Sequence, residues 1–214
     1  MSKSKGNVVN PDDVIKQYGA DTLRVYEMFM GPFEQAIAWD TRGVKGAKRF
    51  LDRVCRLELK MKNEKRKTTI KNEKLKKILH KTIKKVSEDI EQMKFNTAIS
   101  ALMILLNEME KEGVSLDVFE KFLLLLAPFA PHIAEELWQA VGHKESIFKE
   151  DWPKHDQALL KDEKVNIVVQ INGKVRGAME VEVEASQEQV LEIAKQDEKI
   201  NKWLKGQTIK KVVF

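Results

Sequence analysis

"LDVFEKFLLLLAPFAPHIAEELWQAVG", residues 116–142, decides the fold class. Its apolar residues recur at helical spacing on both sides of Pro128 and Pro131, and a proline inside a helix removes a donor and bends or divides it. The stretch therefore reads as a helix either bent or divided at its prolines. It falls short of the roughly 18 uninterrupted apolar residues that span a bilayer. Working upstream, "NTAISALMILLNEMEKEG" (96–113) is a second apolar-periodic helix. Leu75, Ile78, Leu79, Thr82, Ile83, Val86, Ile90 and Met93 mark a third, with lysines on the opposite face. Val44, Ala47, Phe50, Leu51, Val54, Leu57 and Leu59 mark a fourth, capped by Asp40 or Thr41 and running to about Met61. Four or five antiparallel helices joined by short loops make a bundle.

Two shorter helices precede it. "NPDDVIKQYG" (10–19) places Asn10 at a cap, Pro11 in the first turn, Asp12 and Asp13 near the positive helix end and Gly19 as a stop. "DTLRVYEMFMG" (21–31) is the second, and "PFEQAIAWDTRG" (32–43) is a connector. Downstream of "SIFKEDWPKHDQALLKDEK" the period changes from 3.6 to 2. Val165, Ile167, Val169 and Ile171 alternate with polar or exposed positions, as do Val175, Met179, Val181 and Val183 beyond Asn172-Gly173. A strict two-residue turn would put those apolar rows on opposite faces, so parity predicts a three-residue loop, Ile171-Asn172-Gly173, with Gly173 left-handed as a bulge. "SQEQVLEIAKQDEKINKWLKG" (186–206) reads as one helix capped by Ser186, and "TIKKVVF" (208–214) as a last strand.

The expected fold is thus mainly α, an antiparallel helical bundle followed by a small β-β-α-β module. Expected boundaries are 1–40 for an N-terminal loop and connecting helices, 41–160 for the bundle and 161–214 for the module.

Charge sharpens the reading. The net charge is +5, yet Lys60 to Lys85 holds twelve Lys or Arg against Glu64 and Glu73, so the rest of the chain is net acidic. A basic patch of that kind tracks phosphates. One cysteine, Cys55, allows no internal disulfide and reads as a buried helical thiol; with four scattered histidines it offers no metal-ligand cluster. Trp39, Trp138, Trp152 and Trp203 lie in apolar patterns or at element junctions and are expected to pack in the core. His132 is expected to cap or pack at the proline bend, and Glu135 and Glu136 to be first-turn helix charges.

"MSKSKGN" (1–7) has lysines, serines and a glycine just before a helix, a composition suited to polyphosphate. It is not the two-glycine phosphate loop of the nucleoside triphosphatases. Followed by "VVNPDDVIKQYGADTLRVYEMF", it resembles the mobile ATP loop of class I aminoacyl-tRNA synthetases for aliphatic amino acids, and "LLLLAPFAPHIAEELW" resembles a helix of their anticodon-binding bundle. "MGPFEQAIAWDTRGVKGAKRFLDRV" (30–54) and "VVQINGKVRG" (168–177) are similar to bacterial-type leucyl-tRNA synthetases. Valine enzymes typically finish in a coiled coil and isoleucine enzymes in a zinc-binding tail.

The resemblance implies that Lys3 contacts ATP phosphate, with Met1, Ser2 and Ser4 as the rest of the loop. The family's further lysine stands just before the position of Met1. It also implies that the nucleotide fold, leucine pocket and editing domain belong to an N-terminal catalytic part, the expected partner of this chain. ATP with magnesium is then a cofactor of the whole enzyme, none is expected on the fragment, and no catalytic residue or metal site is expected within it. In the whole enzyme leucine reacts with ATP to give leucyl-adenylate and pyrophosphate, and then passes to the tRNA terminal ribose. The fragment is expected to catalyse neither step.

What remains is binding of tRNA(Leu) by a cytoplasmic monomer with no membrane association. The expected contacts are Lys45, Lys48, Arg49 and Arg53 on the helix after the connector. Lys174 and Arg176 follow the hairpin turn, where the family's C-terminal module is expected to reach the tRNA outer corner. Backbone and shape recognition suit this role, because RNA helices hide base edges in a deep groove. The same part of a valyl, isoleucyl or methionyl ligase, or a freestanding RNA-binding module, stays open at this level.

Overall fold

The computed structural model of the chain describes residues 6, 8–63, 73–160, 164–182, 185–204 and 212. Two compact units divide it, Met1–Leu160 and Lys161–Phe214.

In the first unit, α1 (Pro11–Tyr18) starts where the Asn10 side chain accepts the Asp12 N–H at 3.1 Å. It stops at Gly19, whose φ of 92° favours a residue without Cβ. α2 (Ala20–Phe29) follows directly. The connector then brings Trp39 edge-on to Tyr26, with ring centroids 4.8 Å apart, and the Tyr26 hydroxyl accepts the Asp40 N–H at 2.8 Å. Asp40 Oδ1 accepts the Arg42 N–H and so caps α3 (Thr41–Asn63). Gly43 faces the Tyr26 ring so closely that an added Cβ would lie 2.7 Å from it, which sets how near α2 and α3 approach.

α4 (Glu73–Glu91) buries Leu75, Leu79, Ile83 and Val86 against α5 (Phe95–Glu112), which buries Ile99, Leu102, Leu105, Leu106 and Met109. The junction is held by buried Asp89, which accepts from Lys85 Nζ and from the Thr97 hydroxyl, both at 2.7 Å. Met93 was expected to extend the α4 stripe. Instead it takes φ 55° in the turn after the helix and is exposed, because the chain must reverse there before Phe95.

Ser115 caps α6 (Leu116–Leu126), and the prolines divide rather than bend the next stretch, so that α7 runs from Pro131 to Ala140. Phe119, Phe122 and Phe129 are fully buried at the centre. Each such side chain contributes about 1.5–3 kcal/mol relative to exposure. Two short 3-10 turns, Ile147–Lys149 and Gln157–Leu160, close the unit, the second against α4.

The second unit holds β1 (Lys164–Ile171) and β2 (Lys174–Glu182), paired antiparallel, then α8 (Gln187–Gln196) and α9 (Glu198–Leu204). Two expectations change here. Ile171 pairs with Lys174, so the turn has two residues, and Asn172 (φ 51°) and Gly173 (φ 75°) are both left-handed. Parity is restored further along: Val169 pairs with Gly177 but Gln170 with Val175, which leaves Arg176 as the extra residue. Below that bulge Ile167 pairs with Met179 and Val165 with Val181, odd to odd.

The expected single helix is also broken. Ser186 and Gln189 form a reciprocal capping box for α8, but Asp197 is extended, and its Oδ1 accepts from the Lys199 and Ile200 amides at 2.9 and 3.1 Å to start α9. The expected last strand lies outside the described residues apart from residue 212. Met179, Val181, Val190, Ala194 and Ile200 form the module's buried core.

Candidate nucleic-acid interface

On α3 the core-facing residues Val44, Ala47, Leu51 and Val54 are fully or almost fully buried. At 3.6 residues per turn, Lys45, Arg49, Arg53 and Arg56 share an arc of about 80° on the opposite side. Lys45, Arg49 and Arg56 are exposed and make no ion pair to a described residue. Arg53 is instead tied across to α5, donating from Nε to Glu110 at 3.1 Å and from Nη2 to both Glu110 and Asn107. The Glu110 carboxylate raises the Arg53 pKa still further, so the pair is a fixed ionic strut. Lys48 pairs with Asp52 at 2.6 Å one turn along.

Arg49, Arg53 and Arg56 together line an open concavity of about 380 Å³ with Gly46, Phe50, Met103 and Asp52. A Cβ on Gly46 would meet nothing nearer than an Arg49 terminal nitrogen at 3.9 Å, so the helix backbone there is open to an approaching group. Guanidinium groups grouped around a hollow suit phosphate oxygens, which accept two parallel N–H bonds from one arginine. Of the four residues expected on this helix, Arg49 and Arg53 line the hollow, Lys45 stands on the same face, and Lys48 is taken up by Asp52. Arg56 was missed, although its place seven residues after Arg49 repeats the helix face.

In the second unit Lys174 is exposed at the closing pair of the turn. Arg176 sits at the bulge with its guanidinium carbon 3.5 Å from the centroid of the Trp203 ring. The four tryptophans therefore part company. Trp138 is buried, stacked on His143 at 3.7 Å, and Trp39 packs on Tyr26. Trp152 and Trp203 are substantially exposed, the former donating to the Ser87 hydroxyl at 2.8 Å. The core expectation fails for those two because each has a polar partner at the surface. Met1, Ser2, Lys3 and Ser4 lie outside the described residues.

Two further residues shape the bundle without any sequence signal. Arg24 donates from Nη2 to the Pro128 carbonyl at 2.9 Å and from Nε to the Phe129 carbonyl at 3.4 Å. Asp21 Oδ2 accepts the Ile133 N–H at 2.7 Å in the first turn of α7. Backbone groups left over where the two prolines divide the helix are thereby satisfied from α2. His132 points away, exposed, contrary to expectation. Glu135 ties α7 to the following 3-10 turn: it accepts from Gln139, Ser146 and the Ile147 amide, and these bonds hold its pKa below the usual carboxylate value. Cys55 is only partly buried, and desolvation first, then Asp52, pushes its thiol pKa up, the opposite of an activated nucleophile. No group of three or more metal-ligating side chains occurs among the described residues, and none of their helices is long and apolar enough to cross a membrane.

The family described as the anticodon-binding domain of tRNA ligase matches residues 72–193. The chain belongs to that family. Residues 1–40 match the class I tRNA synthetases for isoleucine, leucine, methionine and valine, so the anticodon-binding domain here follows a piece of a class I synthetase. A solved ternary complex of Agrobacterium radiobacter K84 AgnB2 LeuRS, tRNA and LeuAMS matches all of this chain with a TM-score of 0.78 and 32% identity. The chain spans 30% of the length of that LeuRS. The anticodon-binding family match runs past the division between the two units and takes in the hairpin.

Proposed function

We propose that this chain is the tRNA-binding C-terminal part of a leucine–tRNA ligase, working in the cytoplasm on tRNA(Leu). The observation that carries the reading is the basic face of α3, where Arg49, Arg53 and Arg56 surround an open hollow whose far wall, Met103 on α5, belongs to the stretch that matches the anticodon-binding family. Leucine as the amino acid is supported by the likeness to LeuRS over the full chain. In this reading Lys3, with Met1, Ser2 and Ser4, is the part of the ATP loop that neutralises phosphate charge in the whole enzyme. ATP with magnesium serves that enzyme, and the chain alone carries out neither adenylate formation nor transfer.

Binding is dominated by backbone contacts. Lys45, Arg49 and Arg56 on the bundle and Lys174 and Arg176 on the module each release counterions when they meet a phosphate, so affinity falls steeply with salt. Lys48, already paired, contributes less.

The test is binding of the purified chain to tRNA(Leu) and to the isoleucine, methionine and valine tRNAs at several salt concentrations. Tighter binding of tRNA(Leu) is expected. A preference for one of the other three would move the chain to that ligase, and equal affinity for all would reduce the surface to a general polyanion patch. Leucine-dependent pyrophosphate exchange by the purified chain would contradict the division of labour.

A further inference from the structure

Trp203 is 48% exposed and contributes little to the module's core. Its position is nevertheless closely specified. Gly177 has no Cβ, and one placed there would lie 2.9 Å from Ile200 Cγ1, so the missing side chain is what lets α9 seat Ile200 fully buried on β2. Trp203 lies three residues after Ile200, on the same helix face and one turn nearer the end. That turn brings its ring under Arg176, the residue that the bulge takes out of the strand ladder.

A backbone irregularity and an indole thus act on one side chain. Arg176 Nε is buried with no hydrogen-bond partner, and the two terminal nitrogens carry no hydrogen bond to a described residue. A guanidinium held over an aromatic face, as Arg176 is held 3.5 Å above the Trp203 ring centroid, has its rotamer restricted by that contact. Two parallel terminal N–H groups match two oxygens of a phosphate, and a group fixed beforehand loses less entropy on binding.

We propose that Trp203 is a positioning residue which holds the Arg176 guanidinium as a preset fork for one backbone phosphate of the bound RNA. This rests on the tRNA-binding reading above. It assigns the contact to Arg176 with Trp203 beneath it, and leaves Lys174 as an interchangeable point charge.

The experiment measures tRNA(Leu) affinity and its salt slope for the full chain carrying Arg176→Ala, Arg176→Lys, Trp203→Ala, Trp203→Phe and the double alanine variant. Arg176→Ala is expected to weaken binding about tenfold and to flatten the salt slope by about one phosphate. Arg176→Lys keeps the charge but loses the planar fork, so a comparable loss of affinity is expected with the slope retained. Trp203→Ala should weaken binding severalfold, Trp203→Phe should restore most of it, and the double variant should be no weaker than Arg176→Ala.

Further loss from Trp203→Ala in the Arg176→Ala background would mean that the indole itself stacks on a base, and would overturn the proposal. Full affinity in Arg176→Lys would overturn it as well, and that variant leaves the indole in place should Trp203→Ala disturb the module's fold. A wild-type chain that does not bind tRNA overturns the proposed function. A wild type that binds, with Arg176→Lys and Trp203→Ala unchanged, overturns this inference alone.

Discussion

The bundle and the module solve one problem in different ways. Each presents fixed cations on its surface, but α3 rests on a continuous core that includes Phe119, Phe122, Leu105 and Leu106, whereas among the module's described residues five side chains are buried in its core. In the bundle the rigidity is collective, and no single contact places Arg49 or Arg56; the helix does. In the module it is local, and Arg176 depends on a bulge, a glycine and one indole. A large core makes the site tolerant of single changes at the surface. A small one concentrates the same requirement in a few residues.

The largest effect should come from cutting the bundle's core. Phe122→Ala is expected to cost about 3–5 kcal/mol, since a buried ring leaves a cavity that the helices only partly close. Thermal unfolding should show the bundle transition moving down while the module's amides keep their hydrogen-exchange protection. Equal loss in both units would break the comparison. Gly177→Val comes next, with about 1–3 kcal/mol expected from the clash with Ile200. It should act on the module alone and detach Trp203 from Arg176, visible as a change in indole fluorescence.

That glycine shows where sequence reading reaches its limit. The stripes on α3 to α6 are legible because burial enforces a 3.6 period over many residues at once, and the asparagine, aspartate and serine caps are legible because each acts within three residues. Parity in the hairpin is a weaker constraint. It requires one extra residue somewhere, and a loop at Gly173 and a bulge at Arg176 satisfy it equally; the close approach of α9 at Gly177 accompanies the second. Asp197 reads as one more polar helix residue until its side chain is seen capping α9. Arg24 and Asp21 are the furthest from view, since they answer backbone groups more than a hundred residues away. On the candidate surface, the face of α3 was legible from charge and period. The division between engaged Arg53 and Lys48 and Arg49 and Arg56, which pair with no described residue, depends on neighbouring carboxylates that sequence does not place.

Smaller effects sharpen the same contrast. Glu110→Ala releases Arg53 from its strut, and because the pair is about one-third exposed the stability cost should stay within about 1 kcal/mol. The face of α3 gains a charge, so tRNA affinity should rise and its salt slope steepen. Unchanged binding would place Arg53 outside the interface.

The smallest expected effect is a pH response at His80, whose Nδ1 accepts the Asp156 N–H at 2.9 Å and so ties the second 3-10 turn to α4. Burial first, then Lys121, holds its pKa below the usual 6.5. The unfolded chain therefore binds the proton more readily, and the contribution is intact above pH 6.5 and declines as pH falls through that value toward the lower folded pKa. Exchange of the Asp156 amide should accelerate on acidification, and His80→Gln should flatten that response.

The central claim is that exposed cations on α3 bind tRNA through its phosphates. It is tested most directly by the slope of log affinity against log salt for tRNA(Leu), in the wild-type chain and in the triple variant Lys45→Ala, Arg49→Ala, Arg56→Ala. A slope shallower by about two to three units, with helicity unchanged, is the predicted result. An unaltered slope would contradict it.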